Sequence, residues 1–328
     1  MGNQKRIYIT TINAYCGGTI ALATLCKTIR ELGYDARLVI LPYFPNKQVS
    51  FAIYALECLL GNVKYFFKYC IKSAFALITP KANFLKSYHS YANILKIPGI
   101  KTQWHPFISR SNSIVIYSED VFGNPLKCHH IVRWLLYYYD YTNDRNAYSP
   151  NDLFIAYRDV FNSTKLNPNR YLLTITYFNE NLYRQYNFAE RSGNCYIIHK
   201  GKNRTDLPTN FDGPVFNSNM SEEELVDMLN SYKYCFCYDS QSFYTIVAVV
   251  CGCIPIVVME AGKTELDYLS ESENHYGVAF GNTQEQIGYA VKTRELCLKK
   301  IDYAGQNRYY TDNFISLLEK KYGMLEKI

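Results

Sequence analysis

Short apolar runs alternate with stretches of helical periodicity from the start of the chain. Residues 6–11 are apolar and β-branched, which predicts a strand, and they lead into the pair Gly17-Gly18. Residues 19–32 then show the 3.6-residue period of a helix that stops at Gly33, and residues 36–41 predict a second strand. Strand, glycine loop, helix and strand form a β-α-β unit of the length that a parallel, doubly wound sheet requires.

Further elements are predicted in two series, before and after a polar stretch at residues 178–191. The first series has strands at 113–117 and 171–176 and a helix at 125–138. The second has strands at 195–199, 234–238 and 254–258 and helices at 221–232 and 242–251. We therefore predict an α/β chain of two unlike Rossmann-like domains, residues 1–180 and 181–328, facing a central cleft. The last helix is free to pack back on the first domain.

Composition agrees with two packed domains in a reducing compartment. The chain has 328 residues, which is too long for one ordinary hydrophobic core. Its 48% hydrophobic and 20% charged residues are typical of a packed globular protein. Eleven cysteines include no Cys-x-x-Cys pair and no His/Cys cluster at metal-ligand spacing, and the N-terminus lacks the apolar core of a signal peptide. We expect a cytoplasmic protein without a structural zinc.

The net charge of +6 fits an anionic partner such as a nucleotide diphosphate or a phospholipid surface. The basic residues form no recognisable nucleic-acid-binding motif, so no nucleic-acid partner is expected. Residues 51–80 are apolar but carry Glu57, Lys64, Lys68 and Lys72, too many charges for a membrane span. Lysines every four residues among aromatics indicate either an amphipathic helix on the inner face of an anionic membrane or a surface helix with a lysine face.

Three segments are candidate sites. Gly17 and Gly18 lie between a strand end and a helix start, where backbone N–H groups approach an anion closely, although a tight turn needs the same residues. The run 199–204 carries Lys200 and Lys202 beside a glycine, and with Arg191 it would neutralise a diphosphate leaving group. A solvated basic loop is the alternative.

The third segment, residues 238–257, has an acid at a strand end, a small-residue helix and a Gly-x-x-Pro turn. This order puts Asp239 and the helix start at the sheet edge where ligands of open α/β folds bind.

The third segment resembles the donor-binding region of GT-B glycosyltransferases, and the run 116–135 is similar to bacterial surface-polysaccharide glycosyltransferases. Retaining members carry two glutamates eight positions apart; Asp239 stands at the first position and Val247 at the second. The resemblance implies that Asp239 faces the donor sugar and that the N-terminus of the helix, with Ser242, Phe243 and Thr245, meets the diphosphate. It also implies a nucleotide-sugar donor bound by the C-terminal domain.

Two further acids are candidates for the catalytic base, and the chain lacks a motif for binding a metal ion. Glu119 and Asp120 follow a predicted strand, as an acceptor ligand or general base would, or else they are helix-start charges or partners of Arg133. No clean Asp-x-Asp motif follows a strand, which favours a metal-independent mechanism without a cofactor.

We therefore expect an enzyme that transfers a hexosyl or related group from a nucleotide sugar to a saccharide or lipid-linked saccharide. A catalytically silent relative that binds a polymer, and a GT-B-shaped sugar-nucleotide epimerase, are the competing hypotheses.

Overall fold

The computed structural model describes residues 4–12, 14, 16–45, 49–78, 97, 99–137, 148–217, 220–239, 242–269 and 274–328. In the second helix it describes the side chains of residues 51–64 and 67. The chain divides into two compact units, Met1–Tyr177 with Tyr303–Ile328, and Phe178–Asp302. The chain thus leaves the first unit near residue 178 and returns to it for its last helix.

The first unit is built on six parallel strands in the order β3-β2-β1-β4-β5-β6. Its strands are β1 (Arg6–Ile12), β2 (Ala36–Leu41), β3 (Thr102–Gln103), β4 (Ser113–Ser118), β5 (His130–Leu135) and β6 (Leu153–Ala156). Alternate side chains face opposite layers, so Ile7 and Ile9 of β1 pack with helices α1 (Gly17–Glu31) and α6 (Tyr303–Tyr322). Tyr8 packs on the other face, with Tyr54 and Cys58 of α2 (Phe51–Ile78).

The second unit has five parallel strands in the order β11-β10-β9-β7-β8. They are β7 (Asn194–Ile197), β8 (Val215–Phe216), β9 (Tyr234–Cys237), β10 (Ile254–Val257) and β11 (Ala279–Phe280), with helices α3 (Glu222–Ser231), α4 (Tyr244–Val250) and α5 (Gln284–Lys299). A reciprocal capping box starts α3: the Ser221 N–H donates to Glu224 Oε2 at 2.8 Å, and the Glu224 N–H donates to Ser221 Oγ at 3.2 Å. Each unit is built on a parallel, doubly wound sheet, which confirms the predicted α/β class. Two such units in one chain are the components of the GT-B fold.

The predicted helix at 125–138 is wrong, because the chain there contains β5. This strand is buried on both faces, and such a run cannot be told from a buried helix by periodicity. Arg133, which breaks its apolar pattern, is buried in β5 through its ion pair with Asp152, Nε to Oδ2 at 2.8 Å.

The predicted strand at 171–176 is also wrong, since only a single bridge joins Leu172 to Ala156. Beyond the two backbone hydrogen bonds to Ala156, side chains pair with several of its backbone groups. Asn307 Oδ1 accepts from the Thr176 N–H and Asn307 Nδ2 donates to the Thr176 carbonyl, both at 2.8 Å, and Trp134 Nε1 donates to the Leu173 carbonyl at 3.1 Å.

Among the described residues, no helix is both long enough and apolar enough to cross a membrane. The ten cysteines whose side chains the structure describes are free thiols.

Candidate functional site

Each sheet has one point at which the strand order reverses, between β1 and β4 in the first unit and between β7 and β9 in the second. In open α/β sheets, ligands bind at the carboxyl ends of the two strands that flank such a point, and we call these two places the first and the second crevice. Gly17 and Gly18 follow β1, and Glu119 and Asp120 follow β4. The 199–204 loop follows β7, and Asp239 follows β9. The sequence-predicted candidates thus sit at both reversal points.

Glu119 lies in the first crevice in a poorly solvated position. Its Oε2 accepts a hydrogen bond from the Leu136 N–H at 2.8 Å, and its carbonyl accepts one from Tyr148 Oη at 2.5 Å. Burial raises the pKa of Glu119 to about 7, against the lowering effect of the Leu136 hydrogen bond. A carboxyl group with this pKa changes protonation in the range where a general base works best. Arg133 is paired with Asp152, so Glu119 is not held as its structural counter-ion.

Asp120 is exposed and accepts a hydrogen bond from Ser118 Oγ at 2.5 Å. Its charge makes a small contribution to raising the pKa of Glu119, after burial. Of the two neighbouring acids, Glu119 has the partly buried carboxyl group with the perturbed pKa that acid–base chemistry needs.

The glycine turn lies beside Glu119 in the same crevice. Helix α1 begins at Gly17 after an extended Cys16, whose N–H donates to Thr19 Oγ1 at 3.0 Å. A Cβ on Gly17 would meet no described atom within 4 Å, and one on Gly18 would meet Leu136 Cδ1 at 3.6 Å. The Cβ side of this turn is therefore uncrowded by the described residues, and Leu136 contacts both Gly18 and Glu119.

Asp239 holds the basic loop at the second crevice. Its Oδ1 accepts hydrogen bonds from the backbone N–H groups of His199, Lys200 and Gly201, each at 2.9 Å, and its exposed fraction is 2%. Residues Lys200–Asn203 form a 3-10 turn on this anchor. Oδ1 of this acid thus positions the loop, and the contact of Asp239 with the donor sugar stays a prediction.

Two more residues fix the loop against the strand ends. A Cβ on Gly201 would lie 2.3 Å from the Tyr238 carbonyl oxygen, so only glycine permits this approach. Arg204 donates to the Val258 carbonyl at 2.7 Å and the Tyr238 carbonyl at 3.2 Å, and it makes a two-pronged pair with Asp206. The loop is therefore held rather than freely solvated, and Lys200 and Lys202 are its exposed cations.

The predicted assistance from Arg191 is wrong. Its Nη1 donates to the carbonyls of Leu229 at 3.0 Å and Cys251 at 3.1 Å, and its Nη2 donates to that of Gly252. These carbonyls belong to the C-terminal ends of α3 and α4, at the amino edge of the sheet and opposite the basic loop. Arg191 satisfies helix-end carbonyls and complements their dipoles.

The start of α4 is built mainly from internal contacts. Thr245 Oγ1 donates to the Ser242 carbonyl at 2.9 Å, and the Tyr244 N–H donates to Ser242 Oγ at 3.3 Å. The ring of Phe243 packs on Phe178 and Tyr183, with centroids 6.2 and 6.1 Å away. A contact of Ser242, Phe243 or Thr245 with a diphosphate remains a prediction.

Sequence reasoning missed the contacts that three residues make at these crevices. The sequence pattern places Leu136 in a helix that the structure does not contain, so it does not predict the hydrogen bond from the Leu136 N–H to Glu119. Thr19 and Arg204 act through local backbone contacts, and a small polar residue at the third helical position is the signal that could have found Thr19. The side chains of Lys68 and Lys72 lie outside the described residues. Among the residues that are described, no group of three or more His, Cys, Asp and Glu side chains could hold a metal ion.

Solved structures similar to this chain include an alpha-glucosyltransferase in complex with UDP-glucose and DNA containing an abasic site. It is 11% identical, with 98% of this chain and 96% of that chain covered and a TM-score of 0.38. An alpha-glucosyltransferase with UDP and a 13-mer DNA containing a central A:G mismatch has the same identity and coverage, with a TM-score of 0.40. MurG of Acinetobacter baumannii is 10% identical over 96% of this chain and 99% of that chain, with a TM-score of 0.31. No protein-family model and no curated protein matches the chain.

Proposed function

We propose that the protein transfers a glycosyl group from a nucleotide sugar to a saccharide or lipid-linked saccharide in surface-polysaccharide synthesis, without a metal ion. The second unit binds the donor and the first unit binds the acceptor. The observation that carries the proposal is Glu119, a partly buried carboxyl group with a pKa of about 7 beside the glycine turn. A perturbed acid in a crevice at a reversal point is the arrangement expected of a catalytic base.

In the proposed reaction, ionised Glu119 accepts the proton of the acceptor hydroxyl while the acceptor oxygen bonds to the anomeric carbon of the donor. The bond between that carbon and the phosphate oxygen breaks, and the diphosphate leaves with the electron pair. Lys200 and Lys202 supply the positive charge that stabilises this leaving group. Asp239, Gly201 and Arg204 hold the two lysines at the strand ends.

A silent binding protein is the second candidate, and the environment of Val247 favours it. This residue stands at the second acidic position of the retaining enzymes and is fully buried in the core of the second unit. A carboxylate buried there would be destabilising unless a cation or hydrogen-bond donor were paired with it. The donor-binding pattern of those enzymes is therefore incomplete at this position.

Product analysis by mass spectrometry separates the candidates. Each common nucleotide sugar is incubated with the full chain, with and without a lipid-linked glycan extract. Transfer predicts a nucleoside diphosphate and a heavier glycan when the extract is present. An isomerised donor formed without the extract would indicate an epimerase, and unchanged donor in every mixture would support the silent protein.

A further inference from the structure

Helix α2 has an outer face of exposed apolar side chains. Ile53, Leu56, Leu60 and Val63 follow the spacing i, i+3, i+7 and i+10, and their exposed fractions are 56%, 58%, 61% and 53%. The opposite side of the helix is buried against the sheet, with Tyr54 at 0%. We call the four exposed residues the α2 apolar face. A contiguous exposed stripe of this kind marks an interaction surface.

Aromatic residues extend this surface beyond the helix. Asn62 Nδ2 donates to the Trp104 carbonyl, and the ring of Phe107 lies 6.2 Å from that of Phe51 at the start of α2. The exposed fractions of Trp104 and Phe107 are 36% and 51%. Tryptophan beside an aliphatic face is typical of the boundary between lipid tails and headgroups.

The sequence of α2 carries more positive than negative charge. The helix sequence contains three lysines and one glutamate, and Lys64 is exposed next to Val63. Glu57 accepts a hydrogen bond from Tyr43 Oη, and the Arg110 guanidinium lies 5.2 Å from the Phe51 ring. Two copies of this face placed together would bring cations against cations, whereas an anionic lipid surface complements them.

We infer that α2 lies in the plane of an anionic membrane, with its apolar face among the acyl chains and Lys64 at the headgroups. Helix α2 starts after the carboxyl end of β2, the same sheet edge that carries the glycine turn and Glu119. The acceptor crevice is then held near the membrane surface. Resting on the proposed function, this assigns the acceptor to lipid-linked saccharides.

Vesicle flotation of the full chain tests the membrane contact without any nucleotide or acceptor. The vesicles contain phosphatidylcholine alone or phosphatidylcholine with phosphatidylglycerol. The variants are Leu56→Ser with Leu60→Ser, and Lys64→Gln. The matched control is Leu266→Ser with Val291→Ser, which removes two exposed apolar side chains from the second unit. Because all of these side chains are exposed, unchanged melting is the folding check.

We expect the wild type and the control to float with the anionic vesicles. The double leucine variant should bind at least about ten-fold more weakly, and Lys64→Gln about five-fold more weakly. The inference is overturned if the wild type stays with the soluble fraction, or if the leucine variant floats like the control. The inference is also overturned if light scattering shows a dimer without lipid and the double leucine variant is a monomer. In that case the α2 apolar face would bind a second copy of the chain. Since no donor is present, these outcomes are independent of whether transfer occurs.

Discussion

At the scale of single residues, Glu119 has a property that can be measured apart from any substrate. Burial raises its pKa to about 7, from 4.5 in the unfolded chain. Between these two pH values the folded state binds more protons than the unfolded state, so the free energy of unfolding falls as pH rises. Above pH 7 the ionised carboxylate is fully present in its poorly solvated position and reduces stability.

Glu119→Gln removes this cost while keeping an oxygen that can accept from the Leu136 N–H. We expect the variant to raise the melting temperature at pH 8 by more than at pH 5, as measured by thermal unfolding at both values. Glu31→Gln changes an exposed carboxylate of the same unit and serves as the control. An equal effect of Glu119→Gln at the two pH values would contradict the raised pKa.

The same residue predicts a pH–rate profile. A base must be ionised, so kcat/KM should rise with pH through about 7 and then level off. Glu119→Gln should lower kcat by about 10²- to 10⁴-fold and remove that rise. Asp120→Asn changes the neighbouring exposed acid and should cost far less. If the two variants lost activity equally, or if the rise survived in Glu119→Gln, another group would be the base.

At the scale of elements, the basic loop depends on a close backbone approach. Gly201→Ala would place a Cβ 2.3 Å from the Tyr238 carbonyl oxygen, so the loop must move away from β9. We expect nucleotide binding to weaken by about ten-fold, equivalent to one charge-assisted contact. Calorimetric titration measures this change.

Gly288→Ala is the matched control, because its Cβ would meet no described atom and the site lies inside α5. There alanine should stabilise the helix by about 0.5–1 kcal/mol without affecting nucleotide binding. Equal binding by both alanine variants would show that the loop position does not matter.

Elements with local signals were predictable from the sequence. The strands β1, β2, β7, β9 and β10 have apolar runs bounded by turns, and α3 has its capping box. By contrast, predicting β5 required knowing that Arg133 is buried with Asp152, which lies 19 residues further along the chain. Predicting the conformation of 171–176 required knowing its contact with Asn307, which is 131 residues away from Thr176. Long-range side-chain partners decided both failures, and no local pattern encodes them.

The same contrast holds for the candidate site. The sequence located Glu119, the glycine turn and the basic loop, because residues that follow parallel strands meet at one sheet edge. It could not divide the charged residues into those that face solvent and those that hold the backbone. Arg191 and Arg204 donate to carbonyls, and Asp239 accepts from three N–H groups. Such roles depend on backbone groups brought in from other elements.

At the scale of the whole molecule, the two units have separate hydrophobic cores. Leu318 of α6 is fully buried in the core of the first unit, and Leu229 of α3 is fully buried in that of the second. Both tryptophans, Trp104 and Trp134, belong to the first unit. Tryptophan fluorescence therefore reports the unfolding of that unit alone.

Truncating each leucine should act on one unit. Leu318→Ala should destabilise the first unit by about 2–5 kcal/mol and lower the melting temperature seen by tryptophan fluorescence. Leu229→Ala should leave that transition in place and lower a second one seen by calorimetry. If both variants shifted the fluorescence transition equally, the last helix and the two cores would unfold as one cooperative body.

The central claim is that the loop held by Asp239 binds the diphosphate of a nucleotide sugar. The most direct test is calorimetric melting of the wild type, Lys202→Ala and the exposed-lysine control Lys292→Ala with UDP, GDP, ADP and CMP, each with and without Mg²⁺. A ligand that binds the native state raises its stability by mass action. We predict that one nucleotide family stabilises the second unit of the wild type and of Lys292→Ala, without Mg²⁺, and fails to stabilise Lys202→Ala. Stabilisation by no nucleotide would contradict the account, and stabilisation only with Mg²⁺ would contradict its metal-free mechanism.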